Sequence, residues 1–171
     1  LTVGNSGSPL LNLQGEVVGL VADVIGGPAG IGGIGVAVPG DLVAQSIADL
    51  ERFGVPQRGW LGASLISLDE LPPVLLRAVG LTSTPGAMVD RVEPGSPAAG
   101  AGLKGAQRDT QGRLLALGDV ILAVDGVAVK DKADVVRLVA QRRPGDRVRL
   151  TLWRDRRRLE VTVVLMARPR E

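Results

Sequence analysis

The sequence predicts a mainly β chain in two parts: a block of short strands closed by one helix over residues 1–52, then an α+β module over residues 59–168. Three observations carry this. Apolar runs of strand length, bounded by glycines, fill residues 9–38 and recur through the second part. Apolar residues at helical spacing are confined to short segments near residues 41–53 and 131–142. Between the two parts, residues 53–58 carry Gly54, Pro56 and Gln57 and read as a linker. At 171 residues and 45% hydrophobic content, the chain is long and apolar enough to bury a core.

In order along the chain, residues 9–13 read as a strand, Gln14-Gly15 as a turn and 16–25 as a second strand. The glycine-rich stretch 26–33 leads straight into the apolar 34–38, so it reads as a hairpin loop. From Asp41, expected as the N-cap, Leu42, Val43, Ile47 and Leu50 recur at three- and four-residue spacing, with Gly54 just past the end. Beyond the linker, 60–67 reads as a strand, 73–79 as a short helix closed by Gly80, and 86–92 as a strand followed by a turn at 93–97. Residues 98–103 are expected to form one helical turn, and 104–117 to be polar and irregular. Residues 120–124 read as a strand ended by Asp125-Gly126. A helix is expected over 131–142, with Val135 and Val139 on its core face. Residues 147–154 and 159–165 alternate apolar and charged side chains around the polar turn 155–158, the pattern of a hairpin.

The absences exclude whole classes of chemistry. With no His, no Cys and no Tyr, the chain can build no His- or Cys-ligated metal site, no thiol nucleophile and no imidazole base from its own residues. No cofactor is expected. The pI near 9.7 looks basic, yet 20 Lys and Arg against 18 Asp and Glu leave a formal charge of only +2. With neither His nor Tyr to titrate, that charge holds until the lysines and arginines lose protons. The pI is therefore no argument for nucleic acid, which calls for a basic face and stacking aromatics, and aromatics are 2% of this chain. No apolar run reaches the roughly 18–20 residues of a membrane span, and Asp23 interrupts the stretch 17–25. The lack of Cys leaves the compartment open. The chain opens on Leu1 without the n-region of a signal peptide, so its start reads as cut.

Gly4-Asn5-Ser6-Gly7-Ser8-Pro9-Leu10 suits a loop that presents a hydroxyl beside converging backbone N–H groups, because its glycines leave the approach uncrowded. Alone, the same residues also suit a polar turn. The heptapeptide resembles the nucleophile loop of chymotrypsin-like serine proteases. The following residues 10–25, and Gly33-Ile34-Gly35-Val36-Ala37-Val38-Pro39 ahead of a helix, look like the last barrel strands and closing helix of the HtrA (Deg) family. The resemblance implies that Ser6 is the nucleophile and that the backbone N–H groups of Gly4 and Ser6 form the oxyanion hole. It also implies that 21–23 and 35–38 wall an apolar specificity pocket suited to a small aliphatic side chain. Ser8 departs from the family's usual Gly, and Thr2-Val3 from its Asn-Pro. In the family the His and Asp of the triad lie upstream of the serine, and this chain has five residues before Ser6. An unassisted serine hydroxyl is a weak nucleophile, so the chain by itself is expected to show no measurable peptidase activity.

A second motif follows the linker. In Arg58-Gly59-Trp60-Leu61-Gly62-Ala63, an apolar-Gly-apolar turn lets successive N–H groups converge on an anion, with Gly62 supplying conformation and clearance. This segment resembles the carboxylate-binding loop of a PDZ domain in the form that HtrA proteases use. Gly86-Ala87-Met88-Val89, Gly95-Ser96-Pro97-Ala98-Ala99, Gly102-Leu103, Leu117-Gly118-Asp119-Val120-Ile121 and Val124-Asp125-Gly126 follow in the same order as PDZ elements. The resemblance implies that Leu61, Gly62, Ala63 and Leu65 bind peptide, that strand 63–67 takes the peptide by β-augmentation, and that helix 131–142 forms the opposite wall. Leu61, Ala63 and Leu65 equally suit core packing. Trp60 suits either an anchor at the groove mouth or a packed strand end, and Arg58 either a carboxylate contact or solvent. The stretch 104–117 exceeds the usual connection by roughly ten residues and resembles the longer loop of the cyanobacterial and chloroplast Deg branch, with Arg108, Asp109 and Arg113 reading as solvated. The arginine cluster at 154–158 reads as a charged hairpin tip.

The fold class so implied is the C-terminal part of a chymotrypsin-like β-barrel over 1–52, a linker over 53–58, and an α+β PDZ domain over 59–168. Such a chain would be an HtrA-type serine endopeptidase fragment of extracytoplasmic protein quality control. Its expected partners are peptide or unfolded-protein C-termini and, in the intact enzyme, a homo-trimer, with no nucleic acid and no membrane span. A non-enzymatic adaptor and a truncated gene product are the alternatives. A barrel half leaves sheet edges and an apolar face uncovered, so residues 1–52 are expected to be aggregation-prone unless another chain covers them.

Overall fold

A β-strand needs a turn-former wherever its apolar run must reverse, and Asn12 supplies the first one: its Oδ1 accepts the N–H groups of Gln14 and Glu16 at 3.0 and 2.9 Å. Strands β1 (Pro9–Leu11) and β2 (Val17–Ile25) flank this turn, and β3 (Ile34–Pro39) completes an antiparallel sheet of order β1-β2-β3. The computed structural model describes residues 3–25, 34–81 and 84–169, so the expected loop over 26–33 lies outside the described residues. The chain divides into two compact units, Leu1–Gln57 and Arg58–Glu171.

Helix α1 (Gly40–Phe53) closes the first unit. It starts two residues earlier than the sequence reading: Pro39 is the N-cap, and Asp41 sits in the first turn with its carboxylate accepting the Leu42 N–H at 2.9 Å. Pro39 already holds the fixed φ that launches a helix, which leaves Asp41 to favour the helix dipole from inside. At the other end Gly54 takes φ +71°, and its N–H caps Leu50 O at 2.9 Å. Buried Asp49 then accepts the Gln57 N–H at 2.9 Å, tying the linker back to the helix. Among the described residues of this unit only Val21 is a buried apolar side chain, while Leu11, Leu13, Val17, Ile34 and Ile47 are exposed.

The second unit begins with β4 (Gly59–Trp60) and β5 (Ala63–Ser67), followed by a short 3-10 turn at Leu68–Glu70 and α2 (Pro73–Ala78). Then come β6 (Ala87–Val92), the one-turn α3 (Pro97–Gly100), β7 (Gln107–Arg108) and β8 (Leu114–Ala116). Strands β9 (Val120–Val124) and β10 (Val127–Ala128) precede α4 (Lys132–Ala140), and β11 (Arg147–Arg154), β12 (Arg157–Val164) and β13 (Met166–Ala167) end the unit. The main sheet is antiparallel in the order β12-β11-β9-β6-β5, with β10 on β9; β4 pairs with β13, and β7 with β8.

Alternation sets the core. Val148, Leu150 and Leu152 of β11 point inward and are fully buried, while Arg147 and Arg149 between them face solvent. Val135 and Val139 of α4 close over Ile121, Val124 and Leu165. Leu68, Leu81, Met88 and Val120 form a second cluster under α2.

Four sequence expectations change. The expected strand 60–67 is two strands, because the chain breaks at Leu61-Gly62. The stretch 104–117 holds the β7-β8 hairpin, braced by Arg108 on Asp90 at 2.5 Å and by Arg113 on Asp109 at 2.7 Å, so these side chains are paired rather than merely solvated. Helix α4 is shorter than 131–142: Asp131 caps it by accepting the Asp134 N–H at 2.9 Å, and it ends at Ala140. The turn expected at 155–158 shrinks to two residues, Asp155 and Arg156, both with positive φ.

Candidate functional site

The break at Leu61-Gly62 is where the chain becomes chemically useful. The Leu61 carbonyl accepts the Ala98 N–H at 2.9 Å, and the Gly62 carbonyl accepts the Glu93 N–H at 2.9 Å and the Ser96 hydroxyl at 3.1 Å. Both carbonyls are thus tied to one turn, the segment from Glu93 into α3. In a planar trans peptide the next residue's N–H points opposite to the carbonyl, so the N–H groups of Gly62 and Ala63 are directed away from that turn. The ladder agrees: the bond from Glu93 to Gly62 makes Ala63 and Val92 a non-hydrogen-bonded pair, which turns the N–H and C=O of Ala63 off the sheet edge.

Only glycine can hold this bend. Gly62 has φ +75°, and a Cβ there would run into the Cβ of Ser96. Ser96 is itself fixed as the N-cap of α3, its Oγ accepting the Ala99 N–H at 3.2 Å. The backbone of the bend therefore rests on a buried serine.

Beside this bend lies a pocket of about 220 Å³. Its near wall is Leu61, Gly62, Ala63 and Leu65, so all four peptide-binding candidates line one pocket. Its far wall is Val135, Val136, Val139 and Ala140 of α4. Among the described residues, strand β5 has β6 as its only sheet neighbour, and its other edge runs along this pocket. Val136 is exposed, whereas Val135 and Val139 are buried and serve core and pocket together. Trp60 lines the pocket and is half-buried, and Arg58 and Arg168 complete the rim. The α4 residues were hard to assign from sequence because helical periodicity marks the core face but does not say where the core opens. Arg168 carries no local signal, since it arrives through the pairing of β13 with β4.

In the first unit, a 3-10 turn at Val3–Asn5 delivers Ser6 to the surface, with Gly4 also exposed. The Asn5 carbonyl accepts the Ser8 N–H at 3.0 Å and the Ser8 hydroxyl at 2.5 Å, so the Ser6 N–H points to the opposite side of that peptide. Ser8, the departure from the expected glycine, thus braces the loop through its side chain. Gly7 N–H to Val21 O at 2.7 Å and Val21 N–H to Ser8 O at 3.0 Å pin the loop to β2. Val21 pairs with Ala37 and Asp23 with Val36, which brings the two stretches expected to wall a specificity pocket side by side.

A larger depression, about 560 Å³, lies elsewhere on the second unit among Lys104, Leu115, Leu117, Trp153 and Arg156. It contains none of the catalytic or peptide-binding candidates, Gly4, Ser6, Leu61, Gly62, Ala63 and Leu65. The described residues hold no cluster of three or more metal-ligating carboxylates, and none of their helices is long and apolar enough to cross a membrane.

The PDZ domain family model matches residues 59–165, the stretch that holds the bend, the open strand and the facing helix. The chain belongs to the PDZ domain family. Outside the PDZ unit the similarity continues. A probable periplasmic serine endoprotease, DegP-like, from Brucella suis is 33% identical over 168 residues, covering 98% of this chain and 30% of the relative. A protein of the same description from Rhizobium meliloti is 36% identical over 152 residues, 89% of this chain and 27% of its own length. Among solved structures, the HtrA-type protease AlgW with a decapeptide matches at 30% identity and a TM-score of 0.71, over 100% of this chain and 48% of that one. The serine endoprotease from Yersinia pestis matches at 25% identity and a TM-score of 0.59, over 99% of this chain and 50% of that one. The PDZ unit and the strands before it are thus shared with HtrA-type serine endoproteases. The chain spans about a third of the length of these curated relatives and half that of the solved chains.

Proposed function

We propose that residues 59–168 bind extended peptides by adding them as a strand to the open edge of β5, with the terminal carboxylate held at the bend of Leu61, Gly62 and Ala63. The observation that carries this is the tethering of the Leu61 and Gly62 carbonyls to one turn, which directs the following N–H groups away from it, beside a pocket that the same residues line. Leu65, Val135 and Val139 offer an aliphatic wall for the last side chain. The solved relative whose title names a bound decapeptide supports the same reading. Titrating a fluorescent peptide with a hydrophobic free C-terminus against its amidated form tests it. The free acid binds more tightly; equal affinity overturns carboxylate capture.

Residues 1–52 are, on this proposal, the second half of a chymotrypsin-like protease domain, with Ser6 as nucleophile and the N–H groups of Gly4 and Ser6 as oxyanion donors. The surface position of Ser6 and the bracing of its loop on Val21 support that assignment. With no histidine in the sequence, the hydroxyl has no imidazole base within the chain. This chain by itself binds peptides and does not cleave them; turnover of casein by the purified chain, abolished by Ser6→Ala, would overturn that statement. The periplasmic descriptions of the relatives support an extracytoplasmic setting. On this proposal the intact enzyme would act there in protein quality control, as a homo-trimer.

A further inference from the structure

Two arginines from opposite ends of the second unit meet at the pocket rim. Strand β4 pairs with β13 so that Trp60 faces Met166 and Gly59 faces Ala167. One step further along that register, Arg58 faces Arg168, and both line the 220 Å³ pocket. Like charges directly opposite in a ladder repel. The ion pairs of the described residues engage Arg108, Arg113, Lys132, Arg137, Arg142, Arg149 and Arg154, and neither Arg58 nor Arg168 is among them. Two cations outside those ion pairs therefore line the pocket that Gly62 and Ala63 also line.

We infer that Arg58 and Arg168 form a two-guanidinium clamp on the terminal carboxylate of a bound peptide, with Arg168 setting the site's preference for that charge. The inference rests on the peptide-binding reading above. The adjoining wall of Leu65, Val135 and Val139 identifies the anion, because an aliphatic side chain directly beside a carboxylate is what a peptide C-terminus provides. Guanidinium forks match carboxylates geometrically, and a bound anion turns the repulsion across β4 and β13 into two attractions. Arg168 thereby makes the last strand of the unit part of the binding site.

The test uses the full chain and a fluorescent peptide ending in valine, as free acid and as amide, with the parent protein, Arg168→Gln and Arg168→Lys. For the parent, the free acid binds more tightly and its affinity falls with added salt. Arg168→Gln weakens the acid roughly five- to tenfold, leaves the amide unchanged and flattens the salt dependence, and Arg168→Lys falls between. The denaturation midpoint without peptide stays level or rises in Arg168→Gln, because a repulsion is removed. If the parent discriminates acid from amide and Arg168→Gln does so equally well, the clamp is overturned while carboxylate capture stands. If the parent does not discriminate, both fall. A drop in midpoint with unchanged discrimination would make Arg168 a structural residue only.

Discussion

Arg154 grips Asp119 with two parallel hydrogen bonds, Nε to Oδ1 and Nη2 to Oδ2, each 2.6 Å, and Asp119 is only 1% exposed. The same carboxylate accepts the Lys104 N–H at 2.8 Å, and Arg154 also donates to the Gly102 carbonyl at 2.8 Å. Hydrogen bonding to Asp119 pushes the Arg154 pKa above its ordinary value. Because Trp153 pairs with Val120, this clasp locks the start of β9 to the end of β11 and also fixes the entry to the long hairpin loop.

Arg154→Met strands that carboxylate in the interior and costs about 3–5 kcal/mol, the usual penalty for breaking a buried pair. Adding Asp119→Asn removes the uncompensated charge and regains part of the loss. Urea denaturation of the single and double variants reads both values. A loss of under about 1 kcal/mol would class the pair with exposed ones.

Gly62→Ala combines a side chain at φ +75° with a collision against the Ser96 Cβ. Relief requires the bend to move, so the N–H groups of Gly62 and Ala63 lose their aim. Stability falls by more than about 1 kcal/mol, and peptide affinity falls beyond what the stability loss explains. Calorimetric titration on protein verified as folded separates the two effects; unchanged affinity would remove the bend from the site.

The bend was legible through its setting: Leu61-Gly62-Ala63 alone carries little signal, the ordered glycine motifs over 58–166 marked it, and the strand expected over 60–67 still ran through it. Strands β9, β11 and β12 were legible locally, as alternation and turn dipeptides sit inside them. What stayed hidden depends on partners far along the chain. Residues 107–116 look irregular because the hairpin there is held by Arg108 reaching Asp90 in β6. Nothing in the sequence near Asp119 announces Arg154, and nothing near Arg168 announces Arg58. The Asp41 cap failed by competition, since Pro39 two residues earlier starts the helix first.

Three carboxylates, exposed Glu70 and partly buried Asp109 and Asp134, are held below their ordinary values, each chiefly through a side-chain hydrogen bond to a cation: Glu70 to Lys132, Asp134 to Arg137 and Asp109 to Arg113. A depressed folded-state pKa contributes stability that is present above the ordinary value and is lost as pH falls through the folded one. Stability is therefore full above the ordinary carboxylate values and declines progressively as pH falls from them toward the lowered folded ones. Lys132→Met returns the Glu70 midpoint toward its ordinary 4.5. Carbon-detected NMR titration reads this directly, and an unmoved Glu70 midpoint would contradict the pairing.

The β11-β12 hairpin turns on Asp155 and Arg156, with φ of 50° and 59°, between the facing residues Arg154 and Arg157. Two-residue turns of this hand favour Asn-Gly, and a non-glycine residue in the left-handed region costs roughly 1 kcal/mol. Arg156 offsets some of that cost through its bond to the Ala78 carbonyl at 2.6 Å. Replacing both residues, Asp155→Asn with Arg156→Gly, raises stability by about 0.5–1 kcal/mol. A fall would mean that the exposed bond to Ala78 outweighs backbone strain.

The two units differ sharply in what they bury. Val21 is the one buried apolar side chain described in Leu1–Gln57, whereas Leu10, Leu42, Leu50 and Phe53 are all exposed there. A unit with so little burial opens locally at small cost, and opening is what a protease detects. Trypsin has two candidate sites around the linker. Arg58 is followed by Gly59, whose N–H donates to Arg142 O at 2.7 Å and which packs against Leu165, so that bond resists entry. Arg52 lies in the last turn of α1, with no buried neighbour but Asp49. Limited trypsin therefore cuts first at Arg52, releases residues 1–52 as one piece because no Lys or Arg precedes Arg52, and leaves a folded fragment beginning at Phe53 that still binds the free-acid peptide. An Arg52 bond that stays uncut while sites in the second unit are cleaved, by mass spectrometry over the digestion course, would show that residues 1–52 are stabilised by contacts their own exposed side chains do not reveal.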